Sequence, residues 1–131
     1  MPITLDELLD RARRDLVRVE PEQAAVELAH GALLIDIRPA EQRTEGGDIP
    51  GATVIDRNVL EWRLSPDSPW RIAAVTSPDI RVILVCNEGY SSSLTSATLK
   101  ELGLVNATDV IGGFQAWQAA GLPTTRSEGH P

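Results

Sequence analysis

The sequence has very little of the material that disulfides and metal sites need. Its 131 residues include a single cysteine, Cys86, which excludes an internal disulfide and a zinc site built from several cysteines. The two histidines, His30 and His130, lie 100 residues apart. We therefore expect no metal site, and any catalysis has to come from ordinary side chains and the backbone.

Basic residues and long apolar runs are also scarce. The chain carries 12 Lys and Arg against 19 Asp and Glu, a net charge of −7, and an acidic chain without a basic stretch argues against nucleic-acid binding. No apolar run approaches the ~20 residues that a membrane-spanning helix needs. Acidic residues between Asp6 and Asp15 lie where a secretory signal would have its apolar core. We expect a cytoplasmic protein with no membrane or nucleic-acid partner, and the preference for Arg over Lys favours a bacterial source.

Short apolar runs alternate along the chain with segments of helical periodicity. This pattern predicts an α/β class with a mainly parallel sheet. A capping-box spacing between Thr4 and Glu7 marks the first helix, and Pro21 suits the start of the second. Strands are predicted over 32–37, 53–56, 81–86 and 108–111, with 16–19 as a short edge strand, and helices over 21–30, 58–64, 94–102 and 114–120.

Cys86 is the residue around which an active site can be built, because it stands where an apolar strand ends and a helix is about to begin. Ligands of open parallel sheets bind at that end of the strands. Gly89 allows a tight curve whose N–H groups point at one spot, and Ser91, Ser92 and Ser93 are candidates to cap the helix. The positive field of the helix end favours a thiolate. We interpret Cys86 as reactive and partly exposed; the alternative is a small buried apolar residue.

The loop after Cys86 contains no histidine or lysine that could serve as a base. A Cys–His protease mechanism would need His30, which lies at the predicted end of a helix just before Gly31. The chemistry is therefore expected to depend on the helix field and on backbone N–H groups.

Four ordered motifs resemble the single-domain rhodanese family. They are LIDIRP at 34–39, GDIPGA at 47–52, the segment 82–92 and GGFQAW at 112–117. The resemblance implies a rhodanese-like α/β fold with a central parallel five-stranded sheet flanked by helices on both faces. It implies one domain over 1–131, with a core at about 16–123, an N-terminal helix at 4–15 as an extension and a flexible tail at 124–131.

The resemblance also implies an activity. In this family the strand-end cysteine takes a sulfane sulfur from a donor such as thiosulfate and passes it to cyanide, a thiol or another protein's cysteine, and it needs no cofactor. Cys86 would be that nucleophile, with a persulfide as the intermediate. The implied substrate-binding residues are Asn87, Glu88, Gly89, Tyr90, Ser91 and Ser92, and Asp36 and Arg38 would support the loops at the sheet edge.

Two departures keep alternatives open. Many loops of the family carry a cation, whereas this one has Glu88 and no cation, which puts the anionic donor thiosulfate in doubt. Asp48 stands where the family usually has His.

A cysteine phosphatase or arsenate reductase on the related fold would need a loop Arg, but positions 91–93 are all Ser. The other alternative is a non-catalytic rhodanese-like module that binds a partner or regulates it.

The aromatic residues divide into core and surface candidates. Trp117, on the predicted last helix, is expected in the core. Tyr90 lies in the loop and could shape the mouth of the pocket. Trp62 and Trp70 could cover the site or face a partner.

Overall fold

The computed structural model describes residues 1–126, in which four parallel strands form one sheet. The strands lie in the order β2-β1-β3-β4. They are β1 (Leu33–Asp36), β2 (Thr53–Val54), β3 (Val82–Val85) and β4 (Ala107–Asp109). The helices are α1 (Leu5–Arg13), α2 (Pro21–Ala29), α3 (Ala40–Gly46), α4 (Leu60–Leu64), α5 (Ser91–Glu101) and α6 (Gly113–Ala119), with a 3-10 turn at Arg57–Val59. The predicted α/β class with parallel strands is confirmed.

The sheet is covered by helices on both faces, as a continuous apolar run such as β3 requires. Successive residues of a strand point to opposite faces. Ile35 and Leu84 therefore pack with the apolar residues of α4 and α5, whereas Leu34 and Ile83 pack with those of α2 and α6. The core consists of two layers separated by the sheet.

The predicted fifth strand is wrong for the described residues, because the segment 16–19 contributes only an isolated bridge. Val19 pairs in parallel with Val110 next to β4. The Val19 N–H donates to Asp109 O at 3.1 Å, and the Ile111 N–H donates to Val19 O at 2.8 Å. Pro21 then begins α2 at its first turn, and a proline with no N–H and a fixed φ leaves the chain no room to extend the strand.

The N-terminal helix forms as its capping residues predict. The Thr4 Oγ1 accepts the Glu7 N–H at 3.1 Å, and the Glu7 carboxylate accepts the Thr4 N–H at 3.0 Å. These bonds to the charged form hold the pKa of Glu7 below its ordinary value. The helix runs to Arg13 and packs along α5, which brings the N-terminal segment next to the element that follows Cys86.

The end of the described chain is held to the core. Trp117 is buried, as expected, and its indole N–H donates to Pro123 O at 2.9 Å. Thr125 and Asp48 exchange two backbone hydrogen bonds of 2.8 Å, so the first part of the segment predicted to be flexible is paired here. Residues 127–131 of that predicted tail lie outside the described residues. Within the described chain, no helix has the length and apolar character that crossing a membrane requires.

The first turn of α6 packs directly on the loop that follows β3. The Phe114 N–H donates to Cys86 O at 2.8 Å, and the Gln115 N–H donates to Asn87 O at 3.0 Å. Gly113 has a φ of +59°, and a Cβ at this position would overlap the Cys86 carbonyl oxygen and lie 2.8 Å from the Gly89 nitrogen. Only glycine allows this approach of the two backbones.

We predict that Gly113→Ala destabilises the protein more than Gly103→Ala does. Both glycines have a positive φ, which costs an alanine about 1 kcal/mol. A Cβ at Gly103 meets nothing within 4 Å, whereas at Gly113 it overlaps the loop, which adds about 1–3 kcal/mol. Free energies of unfolding from urea titrations measure the difference. Equal losses in the two variants would contradict the close packing.

Candidate active site

Cys86 lies at the carboxyl edge of the sheet, on the wall of a cavity of about 430 Å³. The residue is only 6% exposed, so the prediction of a partly exposed cysteine is wrong. Its exposure is low because its side chain belongs to the buried cluster on the α4 and α5 side of the sheet, and Ser92 of α5 contacts the sulfur. The loops after β1, β2 and β3 build the cavity, and its other lining residues are Ile37, Arg38, Pro39, Gln42, Asp56, Arg57, Asn58, Asn87, Glu88, Tyr90 and Ser91.

The loop after β3 curves around the sulfur of Cys86. The Gly89 N–H donates to Sγ at 3.1 Å. Gly89 has a φ of +87°, and a Cβ there would lie 2.8 Å from the Gly112 nitrogen, so this position needs glycine for its conformation and for its contact with the turn before α6.

Four of the five carbonyl groups from Cys86 to Tyr90 accept hydrogen bonds, whereas no donor to Glu88 O is found among the described residues. Cys86 O and Asn87 O accept N–H groups of α6, as described above, and Tyr90 O accepts the Ser93 N–H at 3.0 Å. Within residues 1–126, no acceptor is found for the N–H groups of five neighbouring residues of this segment, Asn87, Glu88, Tyr90, Ser91 and Ser92. The segment next to Sγ therefore carries several free donors, while most of its acceptors are satisfied, which suits an anion.

The serines at the start of α5 do not cap the helix, contrary to the prediction. The N-cap residue is Tyr90, and no side-chain cap bond is formed. Ser92 and Ser93 instead donate to the Asp109 carboxylate at 2.7 and 2.8 Å, and the Ser92 Oγ lies 3.2 Å from Cys86 Sγ, where it accepts the thiol proton. The serines point into the core because Asp109, which is 0% exposed, needs hydrogen-bond donors.

Two arginines from the N-terminal segment reach this cluster, and sequence reasoning missed them together with Asp109. Arg18 makes a bidentate ion pair with Asp109, in which Nε donates to Oδ1 at 2.8 Å and Nη2 donates to Oδ2 at 3.2 Å. Arg18 and Arg13 both donate to Gly89 O, at 3.0 and 2.7 Å. A signal for Asp109 was present, since it ends an apolar strand next to Cys86 in the sheet. Nothing in the spacing of Arg13 and Arg18 predicts these contacts.

Asp36 and Arg38 form a second buried ion pair at the end of β1. The Arg38 guanidinium binds both oxygens of Asp36, the shorter contact being 2.7 Å, and donates to Gly47 O at 2.8 Å. It also lies 3.7 Å from the centre of the Phe114 ring. These contacts join the strand end to the turn after α3, and a supporting role for the pair stays a prediction.

The other predicted site residues are divided between the cavity and its back wall. Asn87, Glu88, Tyr90 and Ser91 line the cavity, whereas Gly89 and Ser92 contact the sulfur from behind. Tyr90 is 57% exposed at the mouth. Their roles toward a substrate stay predictions.

Four further residues line the cavity but were not predicted from the sequence, and two predicted tryptophans do not line it. Gln42, Asp56, Arg57 and Asn58 line the cavity, and the rule that ligands bind at the ends of parallel strands was the signal that could have found them. Trp62 and Trp70 line a separate groove together with Leu102, and neither lines the Cys86 cavity. Among the described residues, no group of His, Cys, Asp and Glu could hold a metal ion.

Comparison with known proteins supports the resemblance seen in the motifs. The family model of the rhodanese-like domain matches residues 20–120. The thiosulfate sulfurtransferase GlpE of Pseudomonas entomophila is 33% identical over 103 residues, which are 78% of this chain and 84% of that protein.

Two solved structures share the fold. One is a Rhodopseudomonas palustris protein of unknown function described as a possible tyrosine phosphatase, with a TM-score of 0.83 and 28% identity over 95% of this chain and 99% of the other. The second is the polysulfide-sulfur transferase homodimer of Wolinella succinogenes, with a TM-score of 0.73 and 25% identity over 94% of this chain and 88% of the other. This chain belongs to the rhodanese-like domain family.

Proposed function

We propose that the protein is a sulfurtransferase that carries a sulfane sulfur on Cys86. The observation that carries this proposal is the 3.1 Å hydrogen bond from the Gly89 N–H to Sγ, in a loop whose neighbouring N–H groups are free. Such donors stabilise the thiolate that attacks the sulfur donor and the negative outer sulfur of a persulfide. The rhodanese-like family and the thiosulfate sulfurtransferases among the relatives support the same activity.

The reaction is a two-step covalent transfer. In the first step, the thiolate of Cys86 attacks the outer sulfur of a donor such as thiosulfate. The new S–S bond forms as the old one breaks, and sulfite leaves with its electron pair. In the second step, cyanide, a thiol or the cysteine of an acceptor protein attacks the outer sulfur, and the Cys86 thiolate leaves. No electrons enter or leave the pair of steps, so the scheme needs no cofactor.

The remaining loop residues form the substrate side of this scheme. Asn87, Glu88, Tyr90 and Ser91 face the cavity in which the donor would lie, and Gly89 and Ser92 hold the sulfur. The charge of Glu88 at the cavity acts against an anionic donor and favours a neutral or cationic one, or an acceptor protein with a basic surface.

We assign the whole chain to one rhodanese-like domain with an N-terminal extension at 4–15. Reliance on a single free thiol suits a reducing compartment, and relatives such as the Pseudomonas enzyme are bacterial. Both observations support a location in a bacterial cytoplasm.

We predict that treatment with thiosulfate or another sulfane donor adds one sulfur atom to the protein and that Cys86→Ser abolishes the uptake. Cys86 is the only thiol in the sequence, so no second residue can share the role. Intact mass spectrometry before and after donor treatment measures the uptake, and cyanide should remove the added sulfur as thiocyanate. A wild-type protein that gains no mass with any donor would favour the non-catalytic partner-binding module instead.

We predict that Glu88→Gln raises kcat/KM for thiosulfate about tenfold. The repulsion between the Glu88 carboxylate and one negative charge at ~7 Å costs roughly 1 kcal/mol at an effective dielectric of ~40. The two charges of thiosulfate double this cost, and salt in the solution reduces it. Steady-state rates at two salt concentrations, with thiosulfate and with an uncharged sulfane donor, measure the effect. Glu22→Gln is the matched control, since Glu22 is an exposed residue of α2 that does not line the cavity. A variant no faster than wild type at low salt would refute the repulsion.

We predict no Cys86-dependent hydrolysis of aryl phosphates, although one structural neighbour is described as a possible tyrosine phosphatase. A phosphoryl group needs a bidentate arginine aimed into the loop. Ser91, Ser92 and Ser93 offer none, and Arg13 and Arg18 bind the outer side of the loop at Gly89 O. Of the two arginines that line the cavity, Arg38 is paired with Asp36, and Arg57 belongs to the 3-10 turn after β2 and not to the cysteine loop. Turnover of an aryl phosphate by wild type but not by Cys86→Ser would overturn this prediction.

A further inference from the structure

The N-terminal segment reaches the outer side of the loop that holds Cys86. The rhodanese-like match begins at residue 20, so Arg13 and Arg18 precede it. Both nevertheless donate to the same acceptor, Gly89 O, at 2.7 and 3.0 Å. Arg13 also donates from Nε to the Ser93 Oγ at 3.0 Å, which fixes the plane of its guanidinium. Arginines therefore use both lone pairs of this one carbonyl oxygen.

The position of this carbonyl decides which way the next N–H points. A trans peptide is planar, and its C=O and N–H point in opposite directions. Because Gly89 O faces the two arginines outside the loop, the Tyr90 N–H points to the inner side, where the loop curves around Sγ. That N–H has no acceptor among the described residues. Positive charge at the carbonyl end of a peptide strengthens the N–H at its other end as a donor.

The two arginines differ in the charge they bring. Arg18 is paired with Asp109, so much of its charge is offset. Arg13 has no carboxylate partner within residues 1–126, and its side chain is partly buried, where screening by water is weaker. Its guanidinium carbon also lies 5.8 Å from the centre of the Tyr90 ring. Arg13 is therefore the main net positive charge behind the loop.

We propose that Arg13, with Arg18 beside it, acts from behind the loop as the cation that the loop itself lacks. Arg13 is a positioning residue: it holds and polarises the Gly89–Tyr90 peptide, so that the loop N–H groups stabilise negative charge on Cys86 and on the sulfur it carries. This inference rests on the proposed function for its catalytic part. It gives the N-terminal helix, which precedes the family match, a role in the active site.

Other charges around Cys86 set the background against which Arg13 acts. Asp109 is reached through Ser92, and Glu88 lies on the loop itself. The cavity and its wall add the Asp36–Arg38 ion pair, and also Asp56 and Arg57, which line the cavity without an ion pair to each other. A substitution of Arg13 leaves the charges of these residues in place, although it removes the bond to Ser93, whose hydroxyl also donates to Asp109.

The test compares Arg13→Met with the control Arg14→Met. The control also removes one positive charge from this segment, but Arg14 does not contact the loop. Arg14 is exposed, and within the described residues its side chain makes no hydrogen bond or ion pair. The first readout is the pH midpoint of Cys86 alkylation by iodoacetamide, a neutral reagent. Loss of a nearby positive charge disfavours the thiolate, so Arg13→Met should raise this midpoint by about 0.5–1 on the pH scale, and Arg14→Met by less than about 0.2.

The second readout is the rate of sulfur transfer from thiosulfate. Arg13→Met should lower kcat/KM by about three- to tenfold, whereas Arg13→Lys, which keeps the charge, should stay within about threefold of wild type. Thermal unfolding of each variant checks that the fold is intact. Should Arg13→Met fail to fold, Arg13→Gln takes its place, with the same expected rise of the alkylation midpoint.

The two proposals fail in different ways. Alkylation needs no sulfur donor, so it tests Arg13 even if the wild-type protein takes up no sulfur, an outcome that would overturn the proposed function alone. A folded Arg13→Met or Arg13→Gln variant whose alkylation midpoint lies within about 0.2 of wild type would overturn the role of Arg13. A midpoint raised equally by Arg14→Met would also overturn it, because the effect would then come from overall charge and not from the contact with Gly89.

Discussion

The active-site edge of this protein depends on the direction of the peptide groups in one short loop. To bring N–H groups toward Cys86 Sγ, the loop must turn its carbonyl groups outward, and each outward carbonyl needs a donor. α6 supplies N–H groups to Cys86 O and Asn87 O, and the N-terminal segment supplies guanidinium groups to Gly89 O. Gly113 lets α6 come close enough to do so. Two elements that are far apart in sequence, α6 and the N-terminal segment, thus fix the orientation of the peptide groups in this loop.

The same edge is stabilised by two buried carboxylate–arginine pairs on either side of β3. Asp36 with Arg38 follows β1, and Asp109 with Arg18 ends β4. Burial of a single charge is expensive, and removing one member would strand the other, so such pairs act as units. Each arginine also donates to a backbone carbonyl group, Arg38 to Gly47 O and Arg18 to Gly89 O. These bonds fix a loop to the end of a strand. Three of the eleven arginines of this acidic protein, Arg13, Arg18 and Arg38, donate to backbone carbonyl groups at the site.

Much of this arrangement could be predicted from sequence, because it follows from local patterns. The apolar run of β3, the turn signal of Gly89 and the capping box at Thr4 each specify structure within a few residues. The errors came from contacts that no spacing encodes. The serines after Tyr90 have the composition of a helix cap, but a buried Asp109 competes for their hydroxyls. The low exposure of Cys86 likewise depends on distant parts of the chain, because its side chain belongs to the buried cluster that β1, α4 and α5 form.

The position of Arg13 shows why a loop without a cation need not lack a positive field. A cation inside the loop would occupy the space of the donor and would compete with the N–H groups for its charge. A cation bonded to the outer carbonyl acts through the peptide and leaves the cavity free, at the cost of a longer distance and a weaker field. On this proposal, the cavity can carry Glu88, whose charge would act on the choice of donor, while Arg13 supports the thiolate from the other side of the loop. Separating the two sides lets substrate preference and sulfur reactivity change independently.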